Sequence, residues 1–363
     1  MDSNKNRGIP KKGADIDSAS LNLLLVILVT IILMLAILAS YFVIILSARA
    51  DAPEKETGDN NTPVSTDDFP LRQDISVELT YSEDDVAAIS GIESQSAVLI
   101  DATNGVVLAG KRSGGEISPA SMTKIMTLIV VIENLKGNDP LNATVNVTEE
   151  HISHKTSERK VSGYLGNSTY PAGEYSVKEL LYHLILDSSG VAALALADHV
   201  AGSEKNFVAL MNAKARELEL ERTSFVYCDG SDDIGQVSTC RDIAKIMAYA
   251  VKNTFCYDIM FPLSFEDSNG RVLYNKPLVH HFYQQNSTYS ELSPSNAKIK
   301  AAKTGWTGSL QEGASGGCIV SYAKGKDGKD YIVVVAGAPL DTYSSSIAVS
   351  VADTIKIYND YIK

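Results

Sequence analysis

Hydrophobic and polar positions divide the chain into three regimes. Residues 21–46 are an apolar run without a charge, broken only by Asn22, Thr30, Ser40 and a few small residues. A helix of that length crosses a hydrocarbon core with some tilt. Lys5, Arg7, Lys11 and Lys12 precede it. The positive-inside bias therefore predicts a cytoplasmic tail over residues 1–20 and places everything after residue 46 outside. Ala48-Arg49-Ala50 would suit signal-peptide cleavage. The apolar run, however, far exceeds the roughly 7–15 residues of a signal-peptide core, so an uncleaved membrane anchor is expected. Residues 47–75 then hold Pro53, Pro63 and Pro70 among Asp, Glu, Asn, Ser and Thr. Such a segment cannot bury a core and reads as a disordered, solvated tether. As a coil it would reach about 30 Å from the membrane.

The third regime, residues 76–363, has the periodicities of one folded domain. Two apolar runs, Ala97–Ile100 and Val106–Ala109, flank Asn104-Gly105, a strong hairpin signal. Ser118-Pro119 follows a glycine-rich loop and predicts a helix start, serine as N-cap and proline at the first helical position. Met122, Ile125, Met126, Leu128, Ile129 and Ile132 mark that helix's buried face. Residues 139–262 read as mostly helical, with a capping box at Ser176 and Glu179. Further helices are expected at 191–201, 203–219 and 238–252, the last capped by Ser238. Strands return at Ile299–Thr304, Gly316–Tyr322 and Tyr331–Ala336. A closing amphipathic helix over 345–361 turns Ile347, Val351, Ile355 and Tyr358 to one side. The predicted fold class is α/β of the α+β kind: an antiparallel sheet covered by helices, beside an all-helical subdomain.

Composition narrows the function. Hydrophobic content of 45% with 21% charged residues is that of a globular chain. A net charge of −12 excludes a general nucleic-acid partner. Cys228, Cys240, Cys256 and Cys318 lack CxxC spacing, so neither zinc nor thioredoxin chemistry is indicated. A Cys228–Cys240 bridge or buried free thiols both fit. His151-x-x-His154 lacks the glutamate of a zinc-protease motif. No metal and no cofactor is expected.

Ser121 and Lys124 are three apart at a helix start, so their side chains share a face. Serine needs an adjacent base to act as a nucleophile, and lysine is one only when its amine is neutral. Burial and nearby positive charge, here the helix N-terminus and Lys303, favour that form. At the third helical position Ser121 would also offer an unpaired backbone N–H, half of an oxyanion hole. Lys303-Thr304-Gly305 ends a predicted strand. Its lysine and hydroxyl suit an anionic carboxylate, and its glycine admits a substrate backbone.

Together with Ser188-Ser189-Gly190, and in this order, these motifs resemble the penicillin-binding proteins of the serine D-alanyl-D-alanine carboxypeptidase family. The resemblance runs from about Ile75 onward and includes Ser118–Thr127, Leu180–Leu186, Ala192–Gly202 and Lys303–Thr307. It implies a penicillin-binding-protein/β-lactamase-like fold. It further implies that Ser121 attacks the carbonyl between the last two D-alanines of a peptidoglycan stem peptide and that Lys124 takes its proton. Ser188 would relay a proton to the departing D-alanine. Lys303 and Thr304 would hold the terminal carboxylate, with Gly305 beside them, and the N–H groups of Ser121 and Trp306 would form the oxyanion hole. β-Lactams would act as inhibitors by acylating Ser121. The family's middle motif is Ser-x-Asn, whereas this chain has Gly190 at the asparagine position. The family's late-strand arginine also has no counterpart from Tyr331 to Val351. The segment Tyr227-Cys228-Asp229-Gly230 replaces a more usual Asn-Pro-His-Gly loop. A catalytically impaired binding protein and a β-lactamase are the alternatives.

Overall fold

The computed structural model describes residues 75–80, 86–136, 139–153, 171–278, 294–307, 316–339 and 342–362. The expected membrane span and tether, residues 21–46 and 47–75, lie outside them apart from Ile75. No helix among the described residues is long and apolar enough to cross a membrane.

The strands are β1 (Ala87–Ala88), β2 (Ser96–Asp101), β3 (Val106–Lys111), β4 (Glu116–Ile117), β5 (Thr144–Val147), β6 (Gly173–Ser176), β7 (Ser238–Thr239), β8 (Ser264–Glu266), β9 (Val272–Tyr274), β10 (Ala297–Thr307), β11 (Gly316–Gly325) and β12 (Asp330–Ala338). The helices are α1 (Thr123–Asn134), α2 (Glu149–Ser153), α3 (Val177–Leu186), α4 (Gly190–Ala201), α5 (Glu204–Glu217), α6 (Cys240–Lys252), α7 (Thr254–Met260) and α8 (Tyr343–Tyr361). A 3₁₀ turn, Ala120–Met122, leads into α1.

One sheet, in the order β1-β3-β2-β12-β11-β10, organises the molecule. Its pairings are antiparallel except for β1 with β3. Alternate residues of β2 serve two cores. Val98 and Ile100 join the helical side with Val320, Ile332 and Val334. Ala97 and Leu99 join Ile319, Val333 and Val335 beneath α8, where Ile347, Val351, Ile355 and Tyr358 are buried as the helical spacing predicted. Burial on both faces explains why β2, β11 and β12 read as continuous apolar runs. The expected hairpin forms at β2–β3, with Gly105 at φ +72° in its turn.

On the helical side α1 packs against α3, α4, α5, α6 and α7. It is therefore buried all round from Thr123 to Ile132 and not along one face only. Two other expectations change. Ser118 caps nothing: the N-cap is Pro119 and the α-helix proper begins at Thr123. Ser238 pairs in β7 with β4, and Thr239 caps α6 instead. The stretch read as mostly helical also contains the hairpin β5–β6, at whose end Ser176 and Glu179 make the expected capping box.

All four cysteines are free and buried, which removes the Cys228–Cys240 bridge. α8 lies so close to β11 that a Cβ on Gly317 would stand 2.4 Å from the Ser346 carbonyl oxygen. The Gly317 N–H also donates to Ser346 Oγ. Gly317→Ala is expected to lower stability by about 1–3 kcal/mol in thermal denaturation, the usual cost of overpacking a rigid contact.

Candidate active site

Ser121 sits in a turn held by two glycines. The preceding residue, Ala120, has φ +43°, a left-handed conformation that a side chain adopts only under constraint. From one side comes Gly305 of β10, where a Cβ would lie 2.9 Å from the Ser121 nitrogen and 3.0 Å from Ala120 Cβ. From the other comes Gly230 at φ +81°, where a Cβ would lie 2.0 Å from the Ala120 carbonyl oxygen. No other residue type fits either position without moving the turn. Ser121 thus occupies a 3₁₀ turn ahead of the helix and not the third position of an α-helix.

Lys124, the second residue of α1, is buried at 2% exposure. Its Nζ donates to Ser121 Oγ at 3.0 Å and to the Asp229 carbonyl at 2.5 Å. Thr127 Oγ1, one turn on, donates to the Cys228 carbonyl. The loop at residues 227–230 is therefore bound through its backbone by α1. A backbone acceptor leaves no mark in sequence, so this part of the site was not legible there. The serine, amine and carbonyl form a chain along which a hydroxyl proton can move once the amine is neutral.

Lys303 enters from β10, the edge strand of the sheet, and is 1% exposed. Its Nζ donates to Ser188 Oγ at 2.8 Å and to the Thr304 carbonyl at 2.8 Å. Burial, and then the nearby Lys124 amine, hold its pKa well below the ordinary lysine value. Ser188 has φ +57°, a strained setting for serine. The residue before it, Asp187, is buried and gripped by Lys276 at 2.6 Å and Arg271 at 2.9 Å. The residue after it, Ser189, caps α4 by accepting from the Ala192 N–H. Gly190 is the first residue of α4. The Ser188–Lys303 contact is made without any amide at that position.

Two of the three motifs meet directly at Ser188 and Lys303. The third is brought alongside, because Ser121 stands against Gly305. Thr304 is half-buried, and Trp306 packs on the core beneath α8, which leaves its backbone along the edge strand. Cys318 pairs with Gly305 across β10 and β11. Burial pushes its thiol up to about 12, so it is no rival nucleophile. His151 Nε2 lies 3.0 Å from Asp198, and no cluster of metal-ligating groups occurs among the described residues. His154 lies outside them. His183 is a packed residue, fully buried and 3.3 Å from Asp267.

The profile of the Peptidase_S11 family, D-alanyl-D-alanine carboxypeptidase, matches residues 82–340. The D-alanyl-D-alanine carboxypeptidase DacF of Bacillus subtilis (strain 168) is 34% identical over 249 residues, 68% of this chain and 58% of that protein. DacC of Escherichia coli (strain K12) is 34% identical over 166 residues, 46% of this chain and 41% of that protein. The chain thus spans only part of the length of these relatives. Penicillin binding protein 5 from Haemophilus influenzae superposes with a TM-score of 0.57 at 25% identity, covering 72% of this chain and 70% of that one.

A lysine whose pKa is depressed on folding binds fewer protons in the native state than in the unfolded one. Its penalty is therefore greatest at low pH and fades as pH rises toward its ordinary value of 10.5. Lys303→Met is expected to raise the melting temperature at neutral pH by roughly 2–5 °C. The gain should shrink toward pH 10.5. Melting curves across pH check both the sign and the trend.

Proposed function

The chain belongs to the D-alanyl-D-alanine carboxypeptidase family, and on that premise we propose that it removes the terminal D-alanine from peptidoglycan stem peptides through an acyl-enzyme on Ser121. The observation that carries this reading is the pair of contacts at the cleft: Lys124 Nζ at 3.0 Å from Ser121 Oγ, and Lys303 Nζ at 2.8 Å from Ser188 Oγ.

The substrate's terminal carboxylate is drawn to Lys303 and Thr304, where an anion returns the buried amine to its charged form. Ser121 Oγ attacks the carbonyl carbon of the penultimate D-alanine, and neutral Lys124 accepts the hydroxyl proton. The negative oxygen faces the N–H groups of Ser121 and Trp306. Collapse breaks the carbon–nitrogen bond, and Ser188 relays to the departing amine the proton that Lys124 took, which leaves Lys124 neutral again. Water then gives a proton to Lys124 as it attacks the ester, and that proton returns to Ser121 Oγ as the ester bond breaks. A β-lactam undergoes the same first step, but its ring nitrogen stays tethered and the acyl-enzyme persists.

Gly190 favours a second reading, a protein that binds wall peptides and turns over slowly. Losing one polar contact of this kind costs on the order of 10²–10³ in rate. Fluorescent penicillin should label the wild type and not Ser121→Ala, with D-alanine release from a diacetyl-Lys-D-Ala-D-Ala peptide falling at least about 10³-fold. Labelling without release selects the binding protein, rapid nitrocefin turnover selects a β-lactamase, and equal labelling of Ser121→Ala would overturn the acyl-enzyme.

The anchor at residues 21–46, with residues 1–20 cytoplasmic and residues 47–75 as tether, is part of the same proposal. Its support is the uncharged apolar run behind four basic residues. The full chain should sediment with membranes and resist alkaline carbonate, whereas deletion of residues 1–46 should release it to the soluble fraction.

A further inference from the structure

The end of α3 departs from what a helix end prefers on its own. Asp187 is its C-cap, and Ser188, the next residue, has φ +57°. A helix C-terminus carries partial negative charge, which disfavours a carboxylate, and the left-handed position just past it is ordinarily glycine. Both departures fall on consecutive residues, and the second of them is the hydroxyl that meets Lys303 Nζ at 2.8 Å. Gly190 has no side chain with which to hold that hydroxyl. Support comes instead from a segment distant in sequence.

That segment is the β8–β9 hairpin. Arg271, just before β9, donates through Nη2 to Asp187 Oδ2 at 2.9 Å. Lys276, shortly after β9, donates through Nζ to Asp187 Oδ1 at 2.6 Å. The carboxylate is 7% exposed and the two cations 38% and 51%, so charges on the hairpin's surface reach in to a buried group. The same hairpin is fastened along α3. The Ser268 N–H donates to Glu179 Oε1 at 2.7 Å, Asp267 stands 3.3 Å from His183, and Phe265 stacks on Tyr182 with ring centroids 4.0 Å apart. Fully exposed ion pairs fix little, but a buried carboxylate gripped at both oxygens is held in one place. The hairpin therefore sets where α3 ends and how Ser188 faces Lys303.

We propose that Arg271 and Lys276 are positioning residues that, through Asp187, aim the Ser188 hydroxyl at the leaving group. This rests on the carboxypeptidase reading, in which Ser188 relays a proton to the departing D-alanine. When the carbon–nitrogen bond breaks, the nitrogen keeps the electron pair and must gain a proton. When a carbon–sulfur bond breaks instead, the thiolate leaves with the electron pair and needs no proton. A clamp that acts through Ser188 therefore matters for an amide and not for a thioester. A purely structural clamp would affect both alike.

The test compares diacetyl-Lys-D-Ala-D-Ala with the thioester in which 2-mercaptopropanoate replaces the last D-alanine, so that acyl group, methyl and terminal carboxylate are kept. D-Alanine release and thiol release give kcat/KM for the two. In Arg271→Met/Lys276→Met the peptide value should fall about 10²-fold, the cost of a misplaced catalytic group, while the thioester value stays within about twofold. Arg271→Lys/Lys276→Met returns one cation to a contact made by a single nitrogen and should recover most of the loss. Asp187→Ala leaves no buried charge behind, so it tests the clamp even where the double variant does not fold, and it should show the same selective loss. Equal losses on the two substrates, or an undiminished peptide rate, overturn the proposal and leave the carboxypeptidase reading intact. A wild type that cleaves neither substrate overturns both.

Discussion

The cleft depends on one backbone contact. The turn bearing Ser121 rests against Gly305 with no room for a methyl group between them, while Gly230 closes on the same turn from behind. That contact joins the edge of the sheet to the helical subdomain at the place where a hydroxyl must be held. Because backbone atoms make it, the geometry does not depend on rotamers. Ala120 is held left-handed as a consequence, and Lys124 follows one turn later with its amine already at the serine oxygen.

The electrostatics follow from the same closeness. Two lysines enter buried positions, one from α1 and one from β10, and each donates to a serine hydroxyl and a backbone carbonyl. Burial holds the pKa of the Lys303 amine well below the ordinary lysine value, and on the proposed reading an incoming anion favours its charged form. Binding and proton affinity are therefore coupled at this residue. The strained serine beside Lys303, Ser188, is held by its neighbours: Asp187 by two cations, Ser189 by the helix it caps. Gly190 then requires only that the cleft work without an amide.

Much of this was legible in the sequence, for physical reasons. The β2–β3 hairpin followed from Asn104-Gly105 between apolar runs, and the buried stripe of α8 from its spacing. Short motifs located the groups that meet, because the contacts of Ser121 with Lys124, of Ser188 with Lys303 and of Gly305 with the serine turn need a hydroxyl, an amine and a residue without a side chain. What was not legible depends on contacts distant in sequence. The serine-proline pair at 118 and 119 imitates a helix start, but packing against Gly305 and Gly230 imposes a 3₁₀ turn first. α1 reads as amphipathic, yet it is enclosed on every side by elements whose positions only the fold supplies. The Asp229 carbonyl comes from a segment notable in sequence only for departing from a familiar loop.

The central pair of the sheet has a further consequence. β2 begins at residue 96 and its partner β12 at residue 330, so the middle of the molecule joins the two distant parts of the domain. Neither core can close until that late strand is available. Contacts of such long sequence separation make folding slow, because the intervening chain must be gathered before they form. A growing polypeptide would therefore hold its serine and its two lysines apart, in water and chemically inert, until almost the whole domain had been synthesised. Assembly of the sheet and assembly of the cleft are then one event.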